Sequence, residues 1–110
     1  MKKLLMIAAL LLGTGQAMTY SEAQRLKIWI LLDAADVKAL KVANGTYNVC
    51  VPDPSDAVMK ANADLLERKT DEFEKIVIKK YKLTPQQVYD LYGEGSRKHW
   101  PQIEYNPPGC

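Results

Sequence analysis

Residues 21–44, SEAQRLKIWILLDAADVKALKVAN, decide the fold. Ser21 followed three places on by Gln24 is a capping box, a pair that satisfies two orphan amides where a helix begins. From Glu22 to Ala43 apolar residues then recur at helical spacing. Ile28, Leu31, Leu32, Ala35, Ala39 and Val42 share one face. Leu26, Trp29, Ile30, Val37 and Leu40 cover much of the remainder, and a helix apolar on most sides is a central, buried one. Asp33 and Asp36 interrupt it. They read as a solvent-facing strip or as a helix restart capped by Asp33. They are also the polar anchors available to a cation or small ligand between helices, although no nearby residue completes a ligand set. Asn44 and Gly45, which tolerate a left-handed backbone, are expected to end the helix.

Outward from this helix the pattern stays helical. Thr46 to Val51 is short and β-branched and reads as one extended segment carrying Cys50; Pro52, Asp53 and Pro54 make a rigid turn. Ser55 or Asp53 caps a second helix, Asp56 to Lys82. Val58, Ala61, Leu65, Leu66, Phe73, Ile76 and Val77 form its apolar stripe. Glu67 to Glu72 is wholly polar. Lys60 with Asp64, Asp64 with Arg68, Arg68 with Glu72 and Asp71 with Lys75 are spaced as i,i+4 pairs, each adding about a few tenths of a kcal/mol. This is a solvated face.

Thr84, Pro85 and Gln87 announce a third helix: an N-cap, a proline at the first helical position and a second capping box. Val88, Leu91, Tyr92 and Gly95 share one of its faces, and Gly95 permits close approach of another helix. Glu94 and Lys98 make an i,i+4 pair, and Pro101 stops the helix near Trp100. Gln102 to Cys110, with Pro107, Pro108 and Gly109, reads as an extended tail. The expected fold is all-α: a small three-helix bundle, with room for a fourth helix, and a C-terminal tail tied by one disulfide.

The N-terminus sets the compartment. Lys2 and Lys3, the apolar run Leu4 to Leu12, and the small residues Gly15 and Ala17 read as a signal peptide, 1–17, cut after Ala17. The apolar run is too short to span a bilayer, which needs ~20 residues. The mature part, 18–110, is one helical domain, periplasmic or secreted. The whole chain has 15 basic and 13 acidic residues; without Lys2 and Lys3 it has 13 of each. A neutral chain has no general electrostatic attraction to nucleic acid. In an oxidising compartment the two cysteines, Cys50 and Cys110, read as an intramolecular disulfide; the alternatives are free thiols or pairing between chains. The bridge would close a loop worth roughly 4 kcal/mol on a chain-entropy argument.

Catalytic sets are sparse. The single histidine, His99, lies at a basic helix end, where it interacts favourably with the helix dipole. With both cysteines bridged there is no thiol nucleophile. One histidine and two distant cysteines make a poor zinc set, and no phosphate loop is present. Acidic pairs of the kind a weak hydrolase uses are too many to choose among. No cofactor, no metal and no enzyme activity are expected. Tyr81, Tyr89, Tyr92, Trp100 and Tyr105 cluster in the last third, beside Arg97. They are either half-buried packing or a binding face, since Tyr, Trp and Arg dominate protein interfaces. The candidate partner surface is Tyr89, Tyr92, Arg97, His99 and Trp100.

Val49-Cys50-Val51-Pro52 before a helix, with export, small size and helical content, resembles the Tai-type periplasmic immunity proteins. Those small all-α proteins protect bacteria against cell-wall amidases delivered by type VI secretion. Some carry a similar Cys-aliphatic-Pro step and end near a cysteine. The likeness covers Cys50 to Pro52 and the general layout. This chain departs from the family in lacking further cysteines in its first helix and in its long Pro-rich tail. The resemblance implies that the chain plugs a toxin's active cleft, the partner holding the catalytic residues. The expected function is protein–protein binding in the cell envelope, as inhibitor, immunity protein or adaptor. The alternative is a periplasmic protein that binds a small ligand or cation through Asp33 and Asp36.

Overall fold

A computed structural model describes residues 19–110; the segment read as a signal peptide and its cut after Ala17 lie outside the described residues. Within 19–110 the chain forms three helices and no strand: α1 (Glu22–Thr46), α2 (Asp56–Tyr81) and α3 (Pro85–Arg97). The all-α class expected from the periodicity holds. No helix among the described residues is long and apolar enough to cross a membrane.

The helix starts are those the sequence announces. The Gln24 N–H donates to Ser21 Oγ (3.1 Å) while the Ser21 N–H donates to Gln24 Oε1 (2.8 Å). Thr84 and Gln87 repeat the reciprocal pair at 3.1 and 2.7 Å. For α2 the cap is Ser55, whose Oγ accepts from the Val58 N–H (3.2 Å).

The ends differ from expectation. α1 runs through Asn44 and Gly45 to Thr46. The Thr46 hydroxyl donates back to the Val42 carbonyl (2.9 Å), and the Tyr47 N–H reaches Ala43 O (2.8 Å). Asn44 instead spends its side chain on a tertiary contact with Asn62. Of the segment 46–51, Thr46 belongs to α1 and the rest is an irregular loop with bends at Tyr47, Cys50 and Val51, not an extended strand; the Cys50 N–H turns back onto Asn48 Oδ1 (2.8 Å). α2 stops at Tyr81 because Lys82 is left-handed (φ 54°). There the Leu83 N–H reaches Ile78 O (2.9 Å) and the Lys82 N–H reaches Lys79 O (3.3 Å), a Schellman end. α3 closes the same way around His99 (φ 53°), with Trp100 N–H to Gly95 O at 2.9 Å.

The described residues divide into two units: one takes 19–30 with Ile78–Pro101, the other Leu31–Val77 with Gln102–Cys110. The first unit is centred on Trp29. Its ring meets Tyr92 and Trp100 edge-on, each at 6.0 Å between centroids, and its indole N–H donates to Pro101 O (2.7 Å). Ile28, Leu83 and Leu91 complete the buried apolar set. Gly95, as expected, allows close approach, and what approaches is the Trp29 ring.

In the second unit Leu32, Ala35, Val37, Ala39 and Ala43 of α1 are buried with Leu65 of α2. Asn62, also buried, donates to Asn44 Oδ1 and Tyr47 O, both at 2.8 Å, and clamps the end of α1 to α2. Cys50 and Cys110 are joined, so the tail is tied as expected. Ile76, read as part of the α2 stripe, is 63% exposed. The inward positions step as 65/66, 69/70, 73/74 and 77/78. A four-residue step drifts around a helix of 3.6 residues per turn, so Ile76, in phase with Leu65, ends facing out.

Candidate functional site

The most developed polar arrangement is built on Glu94, at the start of the last turn of α3. Its carboxylate accepts from Arg25 Nε (2.7 Å), Arg25 Nη2 (2.9 Å) and Lys98 Nζ (2.7 Å). Lys98 also reaches Glu22 (3.1 Å), and Arg25 Nη1 donates to Tyr20 O (2.6 Å). The Arg25 hydrogen bonds outweigh the cost of burial and, with Lys98, hold the Glu94 carboxyl down to about 2. Arg25 and Lys98 are raised in turn, each chiefly by its hydrogen bond to Glu94. The i,i+4 pair of Glu94 with Lys98 is the part that spacing alone reveals. The Arg25 bond joins residues far apart in the chain and leaves no local mark.

Beside this cluster opens a recess of about 350 Å³ lined by Arg25, Tyr89, Asp90, Gly93, Glu94 and Arg97. Tyr89 is 73% exposed at its edge. Arg97 is exposed one turn on, its guanidinium lying over Gly93, where a Cβ would stand 3.3 Å from Nη1. Asp90 accepts from Gln86 Nε2 (2.9 Å).

The structure thus brings Tyr89 and Arg97 to one recess. His99 stands exposed just past the end of α3. Tyr92 and Trp100 are half-buried against Trp29, where they pack the first unit. Gln87 and Arg25 line the recess and escaped the sequence reading, because a capping residue and a lone arginine carry no functional signature.

The two aspartates of α1 are both engaged within the second unit, and α1 neither breaks nor restarts at Asp33. Asp33 Oδ2 accepts the backbone N–H of Ile103 (2.6 Å) and so fixes the tail. Asp36 hydrogen-bonds Glu74 of α2, leaving its Oδ1 buried without a partner. Burial first, then the Glu74 hydrogen bond and the charges of Glu74 and Asp33, push the Asp36 carboxyl up to about 8. Asp36 therefore carries a proton at neutral pH, which a carboxyl sharing a site with carboxylates requires. Among the described residues no group of three or more His, Cys, Asp or Glu side chains is disposed to hold a metal ion. None of them is a free cysteine either.

Neither the family models, nor the curated proteins, nor the solved structures contain a match to this chain.

Proposed function

We propose that the chain is an exported, non-enzymatic protein that works by binding another protein in the cell envelope. The observation that carries this reading is Tyr89, 73% exposed beside Arg97 at the mouth of an open recess. Tyrosine and arginine are the side chains that most often dominate binding energy, and a large exposed ring gains most by being covered. Arg25 and Lys98 are held by the carboxylates of Glu94 and Glu22 within the chain, so of the two cations that line the recess Arg97 is the one offered to a partner.

The disulfide supports an oxidising compartment, periplasm or exterior, in keeping with the N-terminal sequence. Within this class the likeness at Cys50-Val51-Pro52 favours an immunity protein. Its partner would then be a toxin or amidase acting on the cell wall, whose cleft the recess edge would cover.

The test is affinity capture from envelope extract with the wild-type chain, a Tyr89→Ala/Arg97→Ala variant and a Tyr92→Ala/Trp100→Ala variant. A specific partner should be recovered by the wild type and lost with the first variant. Equal recovery by the first variant and the wild type removes the Tyr89–Arg97 edge as the binding face.

A further inference from the structure

The tail, Gln102–Cys110, lies along the second unit and contributes no residue to the buried apolar core. Tyr105 and Pro107 are half-buried, and three named contacts tie the segment down. The Ile103 N–H donates to Asp33 Oδ2 (2.6 Å), the Lys41 ammonium stands 5.5 Å from the centre of the Tyr105 ring, and Cys110 is bonded to Cys50. Most of the segment is solvent-exposed, including Cys110, while Cys50 is half-buried. Gly109 is left-handed (φ 87°), and a Cβ there would come 2.6 Å from the Cys50 carbonyl oxygen, so the last turn is shaped to bring Cys110 onto Cys50. Together with the end of α1 the tail walls a second recess of about 410 Å³, lined by Lys41, Asn44, Asn48, Tyr105, Pro107 and Pro108.

We propose that this tail is a redox-gated strap, opened by a dithiol reductant that attacks the sulfur of Cys110, the more exposed of the two bridged residues, while the helices stay folded. A thiolate of the reductant forms a bond to Cys110 Sγ. The bond between the two cysteine sulfurs breaks, and its electron pair leaves with Cys50, which takes up a proton. The reductant's second thiolate then displaces Cys110 and closes the reductant's own disulfide. Two electrons move: the dithiol is oxidised, and Cys50 and Cys110 become thiols.

Once the covalent tie is gone, the Ile103 hydrogen bond, the Lys41–Tyr105 contact and the half-buried Tyr105 and Pro107 must hold a largely exposed segment against the entropy it regains. The strap leaves, Asp33 is freed and the second recess loses the wall made by Tyr105, Pro107 and Pro108. The buried apolar residues of this unit, Leu32, Ala35, Val37, Ala39, Ala43 and Leu65, all belong to α1 and α2, so the helices keep their own core when the strap leaves.

Amide exchange followed by NMR on the exported chain, with and without dithiothreitol and in the absence of denaturant, tests the strap. On reduction the Ile103 and Cys110 amides should exchange at least tenfold faster, while those of Leu32, Ala39 and Leu65 keep their protection. A Cys50→Ser/Cys110→Ser variant should show the same pattern without reagent. Three results would each overturn the proposal: a bond that opens only in denaturant, an Ile103 amide still protected after reduction, or helix amides that lose protection together with the tail.

Discussion

The ring of Trp29 occupies the space where a side chain at Gly95 would begin: a Cβ there would lie 2.3 Å from two carbons of the indole. The ring cannot step aside cheaply. It is 4% exposed, bonded through its N–H to Pro101 O and flanked by Tyr92 and Trp100. Gly95→Ala gains helix propensity, about 1 kcal/mol, but must displace packed aromatic carbon, which costs about 1–3 kcal/mol or more. The variant should be less stable in thermal unfolding, with an altered tryptophan emission. Gly93→Ala is its counterpart. That Cβ meets only the mobile guanidinium of Arg97, so the helix-propensity gain should survive and the melting temperature should rise.

Glu94→Gln should be among the most damaging polar substitutions. It leaves Arg25, itself largely covered, with a neutral acceptor in place of a carboxylate that takes its Nε and Nη2. Removing one partner of a buried pair costs about 3 kcal/mol. Lys60→Ala, which breaks an exposed i,i+4 pair with Asp64, should change stability by only about 0.3 kcal/mol. Urea denaturation of the two variants beside the wild type compares them directly.

What separates these cases is sequence distance. Both capping boxes, the Glu94–Lys98 pair, the disulfide and the all-α class are set by residues a turn apart or by composition, and each is legible in the chain. The Arg25–Glu94, Trp29–Gly95 and Asp36–Glu74 contacts join residues whose meeting depends on how helices pack, which no local pattern records. The aromatic residues of the last third show the limit clearly. Their types suggest one binding face, yet Tyr92 and Trp100 turn toward Trp29 while Tyr89 stays in solvent. The ends of α1 and α3 misled for a related reason: Asn44 is used by Asn62, and α3 stops at Arg97, ahead of Trp100 and Pro101, because His99 takes a backbone conformation normally left to glycine.

Stability should fall on both sides of mildly acidic pH. Glu94 is lowered to about 2, so its contribution is complete above its unfolded pKa, near 4.5, and is lost as pH falls toward 2. Asp36 is raised to about 8, chiefly by burial. Its contribution is complete below the unfolded value, near 3.8, and is lost as pH rises through 8. The chain should therefore melt higher near pH 5 than at pH 8, contrary to the usual plateau. Asp36→Asn should flatten the alkaline side and Glu94→Gln the acid side. Melting curves of the three proteins between pH 2 and 9 check the assignment; an unchanged alkaline slope in Asp36→Asn would count against the proton shared with Glu74.

Lys82 and His99 each hold a left-handed backbone so that the following amide can close a helix, Leu83 onto Ile78 and Trp100 onto Gly95. For a residue with a Cβ this conformation costs roughly 1–2 kcal/mol, part of which glycine gives back as unfolded-state entropy. Lys82→Gly and His99→Gly should each stabilise the chain by up to about 1 kcal/mol, a rise of roughly 4–8 °C per kcal/mol for a domain of this size. Lys82→Ala separates the backbone from the charge: it removes the ammonium and keeps the Cβ, so it should show none of the gain. If Lys82→Ala matches Lys82→Gly, the strain at this helix end is not what limits stability, and repulsion among Lys79, Lys80 and Lys82 would take its place as the cause.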